Sequence, residues 1–120
     1  MVFAGNSKEV YKYYAASDVF LLPTGYEAFP LTSLEAAASG LPILITKVNG
    51  VDEWLVDNHN GLFIQQDAED IATKLQTLLA DAELAAMLGD NARRTAEKYS
   101  WETMISKMLE VYQQVASPKR

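Results

Sequence analysis

The sequence contains no cysteine, which excludes a disulfide framework and thiol chemistry. It has one histidine, His59, in the run Asp57-Asn58-His59-Asn60-Gly61. With no second ligand type at metal spacing, His59 reads as a surface turn residue rather than a ligand or base, and no metal is expected. Basic residues are scarce: 10 Lys and Arg stand against 16 Asp and Glu, for a net charge of -6. Nucleic acid rewards clustered Lys and Arg and a polybasic membrane anchor needs the same, so neither partner fits. No apolar run approaches the ~20 residues of a membrane span, and no stretch reads as a signal peptide. Internal repeats and low-complexity segments are also missing. What is left is 120 residues, 49% hydrophobic, the length of one ordinary domain. Folding at this size buries roughly two-thirds of the chain's surface. A soluble cytoplasmic protein is the default expectation.

The apolar residues that are there fall into alternating short runs and helical stripes. Val2-Phe3-Ala4-Gly5 reads as a short strand. Ser7 is placed to cap a helix running through Ala16, with Val10, Tyr11, Tyr14 and Ala15 as its apolar stripe and Lys8, Glu9 and Lys12 facing water. The tyrosines of this segment could stack on a base, but core packing is the preferred reading. Val19 to Leu22 is the next strand, and Pro42-Ile43-Leu44-Ile45-Thr46 the third, its β-branched residues suiting the role. Val51 to Val56 reads as a helical turn or two, with Trp54 and Leu55 inward. After the turn chemistry of residues 57–61 comes a fourth strand, Leu62-Phe63-Ile64.

The remainder is helical. Asp67 caps a helix carrying Ile71, Leu75, Leu78 and Leu79; Asp81 caps the next, with Leu84, Met87, Leu88 and Ala92 on one face. Gly89 weakens that second helix by ~1 kcal/mol relative to alanine and marks a candidate bend or break. Ser100 caps a last helix whose stripe is Trp101, Met104, Ile105, Met108, Leu109, Tyr112 and Val115, read as a core face; Ser117 to Arg120 is a frayed tail. Strands alternating with helices imply a mainly parallel sheet of about four short strands with helices on both faces, a Rossmann-like α/β fold. Right-handed crossovers put the loops after the strands on one edge, where ligands of such folds bind.

That edge carries the most informative stretch, Glu27-Ala28-Phe29-Pro30-Leu31-Thr32-Ser33-Leu34-Glu35. It follows a strand; Pro30 suits the first turn of a helix, and Gly40 suits its C-cap. Glu27 then lies in the loop and Glu35 about two turns along the helix. The helix N-terminus offers unpaired N–H groups and a positive dipole end to an anion such as a diphosphate. Glu27 would lie beside whatever hangs from the distal phosphate, and Glu35 would accept hydrogen bonds from ribose hydroxyls. From spacing alone the alternative stays open: a solvated loop residue and a surface glutamate.

The Glu27–Glu35 pair resembles the E-x7-E signature of retaining, nucleotide-sugar-dependent glycosyltransferases of the GT-B fold, family 4 type. Ala16-Ser17-Asp18-Val19-Phe20-Leu21-Leu22-Pro23-Thr24 resembles that family's strand before the motif. Glu35-Ala36-Ala37-Ala38-Ser39-Gly40-Leu41-Pro42-Ile43 is similar to its E-A-x-A-x-G-x-P-V continuation, and Tyr99-Ser100-Trp101 to the F-S-W that opens its last helix. The resemblance implies that residues 1–120 are part of a GT-B C-terminal domain, with a terminal helix at about 100–116. It implies a nucleoside-diphosphate sugar as partner. Glu27 would stabilise developing charge at the donor sugar, and Glu35 would hold the ribose. The amides of Leu31 and Thr32 would receive phosphate, since Pro30 has no N–H. Phe29 joins the donor-binding set, and Gly5 and Asn6 border the base. No cofactor is implied, because the helix dipole and basic residues neutralise the leaving diphosphate.

Two departures temper the resemblance. The family's opening strand with its G-R segment, the downstream lysine, and the N-terminal acceptor domain have no counterpart in these 120 residues; Lys47 is a weak substitute for the basic grip. In the order 3-2-1-4-5-6, Val2–Ala4 and Val19–Leu22 would be strands 3 and 4, separated by a two-strand gap. An open central edge invites pairing with another chain, so a homodimer is expected; the alternative is a monomer in which Val2–Ala4 pairs directly with Val19–Leu22. The rival readings are a weak nucleotide-binding module and an inactive or engineered fragment that folds and self-associates.

Overall fold

A computed structural model of the chain describes residues 9–25, 31–48, 50–99 and 101–116. The expected strand Val2–Ala4, the caps Ser7 and Ser100, and the tail from Ser117 lie outside the described residues. The elements in order are α1 (Val10–Ala16), β1 (Phe20–Leu22), α2 (Leu31–Ala38), β2 (Ile43–Thr46), β3 (Leu62–Ile64), α3 (Ala68–Ala80), α4 (Ala82–Glu97) and α5 (Trp101–Ala116).

The strands form a parallel sheet in the order β1-β2-β3. Phe20 pairs with Ile43 and Leu22 with Ile45; Leu44 pairs with Leu62 and Thr46 with Ile64. Of the four strands expected, these three are the ones the described residues contain. β2 is central and every residue of it is buried, as a strand covered on both faces requires. Its side chains alternate between two cores. Ile43 and Ile45 join Ala36 and Ala37 of α2, the turn residues Val51, Trp54 and Leu55, and Ala92 and Ala96 of α4. Leu44 joins Leu62 and Ile64 with Leu78 of α3 and Leu88 of α4. Thus α2 covers one face, α3 the other, and α4 contributes to both.

Local chemistry fixes the helix ends. Asp67 accepts a hydrogen bond from the Asp70 N–H at 3.2 Å, and Asp81 accepts from the Leu84 N–H at 3.0 Å, so both acidic caps act as expected. α2 ends in a Schellman motif: the Gly40 N–H donates to the Ala37 carbonyl at 2.9 Å and the Leu41 N–H to the Ala36 carbonyl at 3.3 Å, with Gly40 at φ +80°. α4 runs unbroken through Gly89, so the helix does not break there.

Several side chains read as core are not buried. Leu79 and Met87 are exposed on α3 and α4, and Tyr11 and Ala15 on α1. On α5, Ile105, Met108, Leu109 and Tyr112 are all more than half exposed. The periodicity was real, but in α5 it marks an apolar face that this chain's core does not cover. The side chains of Trp101, Met104 and Val115 lie outside the described residues.

Candidate functional site

The loops after the three strands converge on one edge of the sheet. Thr24 and Gly25 follow β1, Lys47 and Val48 follow β2, and Gln65, Gln66 and Asp67 follow β3. Together with Thr46, Phe63 and Ile64 they line a cleft of about 560 Å³. Its walls are tied across strands. The Thr46 hydroxyl donates to the Thr24 carbonyl, and the Gln66 amide donates to the Pro23 carbonyl at 3.1 Å. Lys47 Nζ sits 5.8 Å from the centroid of the Phe63 ring, a cation–π distance. At the β3 end, Asp70 accepts from the Gln65 N–H at 2.8 Å, and Lys74 donates to the Phe63 carbonyl at 2.6 Å and to Asp70 at 3.3 Å. The Gln65 hydrogen bond, with Lys74 beside it, holds the Asp70 carboxyl below its usual range.

The motif helix α2 is the next element after β1. Glu35 lies on its exposed side and meets α1 rather than the cleft. The Tyr14 hydroxyl donates to Glu35 Oε2 at 3.2 Å, with the Thr32 carbonyl 3.4 Å away. The Tyr14 ring is half-buried and lies tilted at 58° to Phe20, with centroids 6.3 Å apart. Burial first, then the neighbouring charge of Glu35 and the hydrogen bond to it, raise the Tyr14 phenol above its ordinary pKa.

Of the residues singled out from sequence, the structure brings Glu35 and Thr32 together around Tyr14. Glu27, Phe29, Gly5 and Asn6 lie outside the described residues, and so does the side chain of Leu31. Tyr11 and Tyr13 are exposed, which corrects their reading as core. Lys47 is on the cleft. His59 is exposed, and among the described residues no group of His, Asp and Glu could hold a metal ion. Sequence reasoning missed Tyr14 as a polar partner, and missed Gln65 and Gln66 as cleft residues. Only the position of Gln65 and Gln66, just after a strand, could have flagged them.

A parallel sheet between helices, with a cleft outside its carboxyl ends, is the architecture of the ligand-binding doubly wound α/β domains. Residues 1–95 match the family described as glycosyl transferases group 1, and the chain belongs to that family. It is 37% identical over 113 residues to the sulfoquinovosyl transferase SQD2 of Arabidopsis thaliana, covering 89% of this chain and 22% of the relative. Its fold superposes on sucrose-phosphate synthase from Thermosynechococcus elongatus with a TM-score of 0.90 and 32% identity, over 98% of this chain and 30% of that one. It also matches the C-terminal domain of a glycosyl transferase group 1 protein from Francisella tularensis, with a TM-score of 0.73 and 30% identity, over 84% of this chain and 53% of that one. The neighbours are GT-B glycosyltransferases, and the chain corresponds to a C-terminal portion of that fold. It spans between 22% and 31% of the length of the curated relatives it matches.

Among the described residues no helix is long and apolar enough to cross a membrane.

Proposed function

We propose that these residues form the donor-binding portion of a retaining, family 4 type glycosyltransferase. It takes a sugar from a nucleoside-diphosphate sugar and passes it to an acceptor. The observation that carries this reading is the position of α2. It is the helix that connects two parallel strands, β1 and β2, and it bears Glu35 on an exposed face. In this reading Glu27 stabilises charge at the donor sugar and Glu35 accepts from the ribose hydroxyls. The amides of Leu31 and Thr32 receive phosphate at the positive end of the helix. Phe29 belongs to the donor-binding set, and Gly5 and Asn6 border the base. The cysteine-free composition suits a reducing cytoplasm.

One feature favours a weaker role for the 120 residues alone. Lys47 is the single cation among the described residues lining the cleft, where Asp67 is also present, so a diphosphate gains little net charge compensation there. On that ground the chain by itself is a weak nucleotide-binding module, with millimolar affinity worth ~4 kcal/mol. It should give no sugar transfer, because catalysis needs donor and acceptor held in register. NMR titration with uridine, guanosine and adenosine diphosphates tests the binding. Chemical-shift changes centred on α2 and the cleft are expected, and their absence at 10 mM, roughly ten times the proposed Kd, rejects the nucleotide reading. Turnover of a nucleotide sugar above that of a Glu27→Ala control would overturn the inactive-alone reading.

A further inference from the structure

We propose that Tyr14 is a positioning residue for ribose recognition: from α1 its hydroxyl fixes the Glu35 carboxylate so that the second carboxylate oxygen is presented to the ribose hydroxyls of a nucleoside diphosphate. The inference rests on the reading of Glu35 as the ribose acceptor and extends it to a residue outside the motif.

A glutamate on an exposed helix face has free torsions and samples many rotamers, and the entropy of ordering them is charged against ligand binding. Here one oxygen is already engaged. The phenol has a single proton to give, and the charged Oε2 at 3.2 Å is the better acceptor than the Thr32 carbonyl at 3.4 Å. The donor is itself held, since the Tyr14 ring is half-buried and packs against Phe20 of β1. Tyrosine suits this task because it donates without adding charge. Among the described residues no lysine or arginine pairs with Glu35, so the carboxylate keeps its full acceptor strength for hydroxyl donors. Its Oε1 receives no hydrogen bond from the described residues.

The rival is a staple: in that view any contact that joins α1 to α2 would serve in place of Tyr14–Glu35, with no bearing on ligand. The two differ in ligand discrimination. The affinities of the chain for nucleoside diphosphates and for their 2′,3′-dideoxy counterparts are measured by NMR titration. The variants are Tyr14→Phe, Glu35→Ala and the double substitution. Tyr14→Phe keeps the ring and its packing. It should weaken the ribose ligands about three- to tenfold while leaving the dideoxy ligands unchanged, and it should add nothing in the Glu35→Ala background. Equal weakening of both ligand types, or no weakening, overturns the positioning role. If Glu35→Ala removes the ribose preference and Tyr14→Phe preserves it, this inference fails while the ribose reading stands. If the wild-type chain shows no ribose preference, or keeps it in Glu35→Ala, the ribose reading fails and takes this inference with it. A second measurement needs no variant: side-chain coupling constants of Glu35 in the ligand-free wild-type chain should report one dominant rotamer, and free averaging would overturn the proposal.

Discussion

The carbonyl oxygen of Gly40, at the end of α2, occupies the space that a side chain on Gly89 of α4 would need: a Cβ there would fall well inside 3.0 Å of it. The obstacle is backbone, held by the Schellman bonds of α2, so it cannot give way cheaply. Gly89→Ala should therefore destabilise the protein by about 1–3 kcal/mol, although alanine is the better helix former by ~1 kcal/mol. Gly40→Ala meets no atom within 4 Å. Its cost comes from the positive φ alone, about 1 kcal/mol. Urea denaturation of both variants checks the order, and a Gly89→Ala chain as stable as wild type would refute the close approach of α4 to α2.

Asn60 is 2% exposed and ties three segments together. Its Nδ2 donates to the Trp54 carbonyl at 2.8 Å and to Thr95 Oγ1 at 3.0 Å, while its Oδ1 accepts from the Val56 N–H at 2.6 Å. Asn60→Ala strands buried polar groups of the turn and should cost about 2–4 kcal/mol. The neighbouring His59 is exposed, and it is its carbonyl that accepts from Asn91, at 2.8 Å. His59→Ala should stay within about 0.5 kcal/mol of wild type. Thermal melts of the two variants side by side make the comparison.

Two groups should make the protein's stability depend on pH. Tyr14 has a raised pKa in the fold. Its contribution is therefore full below its unfolded pKa, ~10, and is lost as pH rises through the folded value. The stability advantage of wild type over Tyr14→Phe should vanish at strongly alkaline pH. Asp70 has a lowered pKa, so its contribution is present above the unfolded value, ~3.9, and is lost as pH falls through the folded one. The advantage over Asp70→Asn should shrink only in acid. Denaturation at a series of pH values reads both, and a reversed trend in either would contradict the assigned cause.

How much of this was legible depended on whether the signal was local. The caps Asp67, Asp81 and Gly40 announced themselves because a cap acts within three or four residues. So did β2, an apolar run bounded by Pro42 and by the loop after Thr46. The reach of Tyr14 to Glu35 spans 21 positions, and the bond of Asn60 to Thr95 spans 35; no spacing rule contains either. Gly89 was read by propensity as a weak point, when its reason is a neighbour from another helix. Periodicity located the stripe of α5 but said nothing of what lies against it. The family resemblance rested on residues in sequence order, and it carried the identity further than geometry could, since Glu27 lies outside the described residues.

The stripe of α5 is a candidate contact surface. Ile105, Met108, Leu109 and Tyr112 recur at helical spacing, and each is between 52% and 64% exposed, with Val111 beside them at 57%. A contiguous apolar face of this kind marks an interaction surface more often than a solvent face. A second feature is β1, an edge strand of the described sheet, whose Leu21 is 38% exposed. The edge strand of a sheet offers its unpaired backbone groups to another chain. We propose that two copies of the 120-residue chain bury these surfaces, and a two-fold dimer is the commonest closed arrangement. Replacing Met108 and Leu109 with lysine would put charge in the α5 contact and should return the protein to monomer without loss of helical content, because both side chains are exposed in the single chain. If β1 pairing dominates instead, Leu21→Lys would have the larger effect. Light scattering after size exclusion reads the outcome, and a mass near 13.3 kDa for the wild-type chain across micromolar concentrations would reject the dimer.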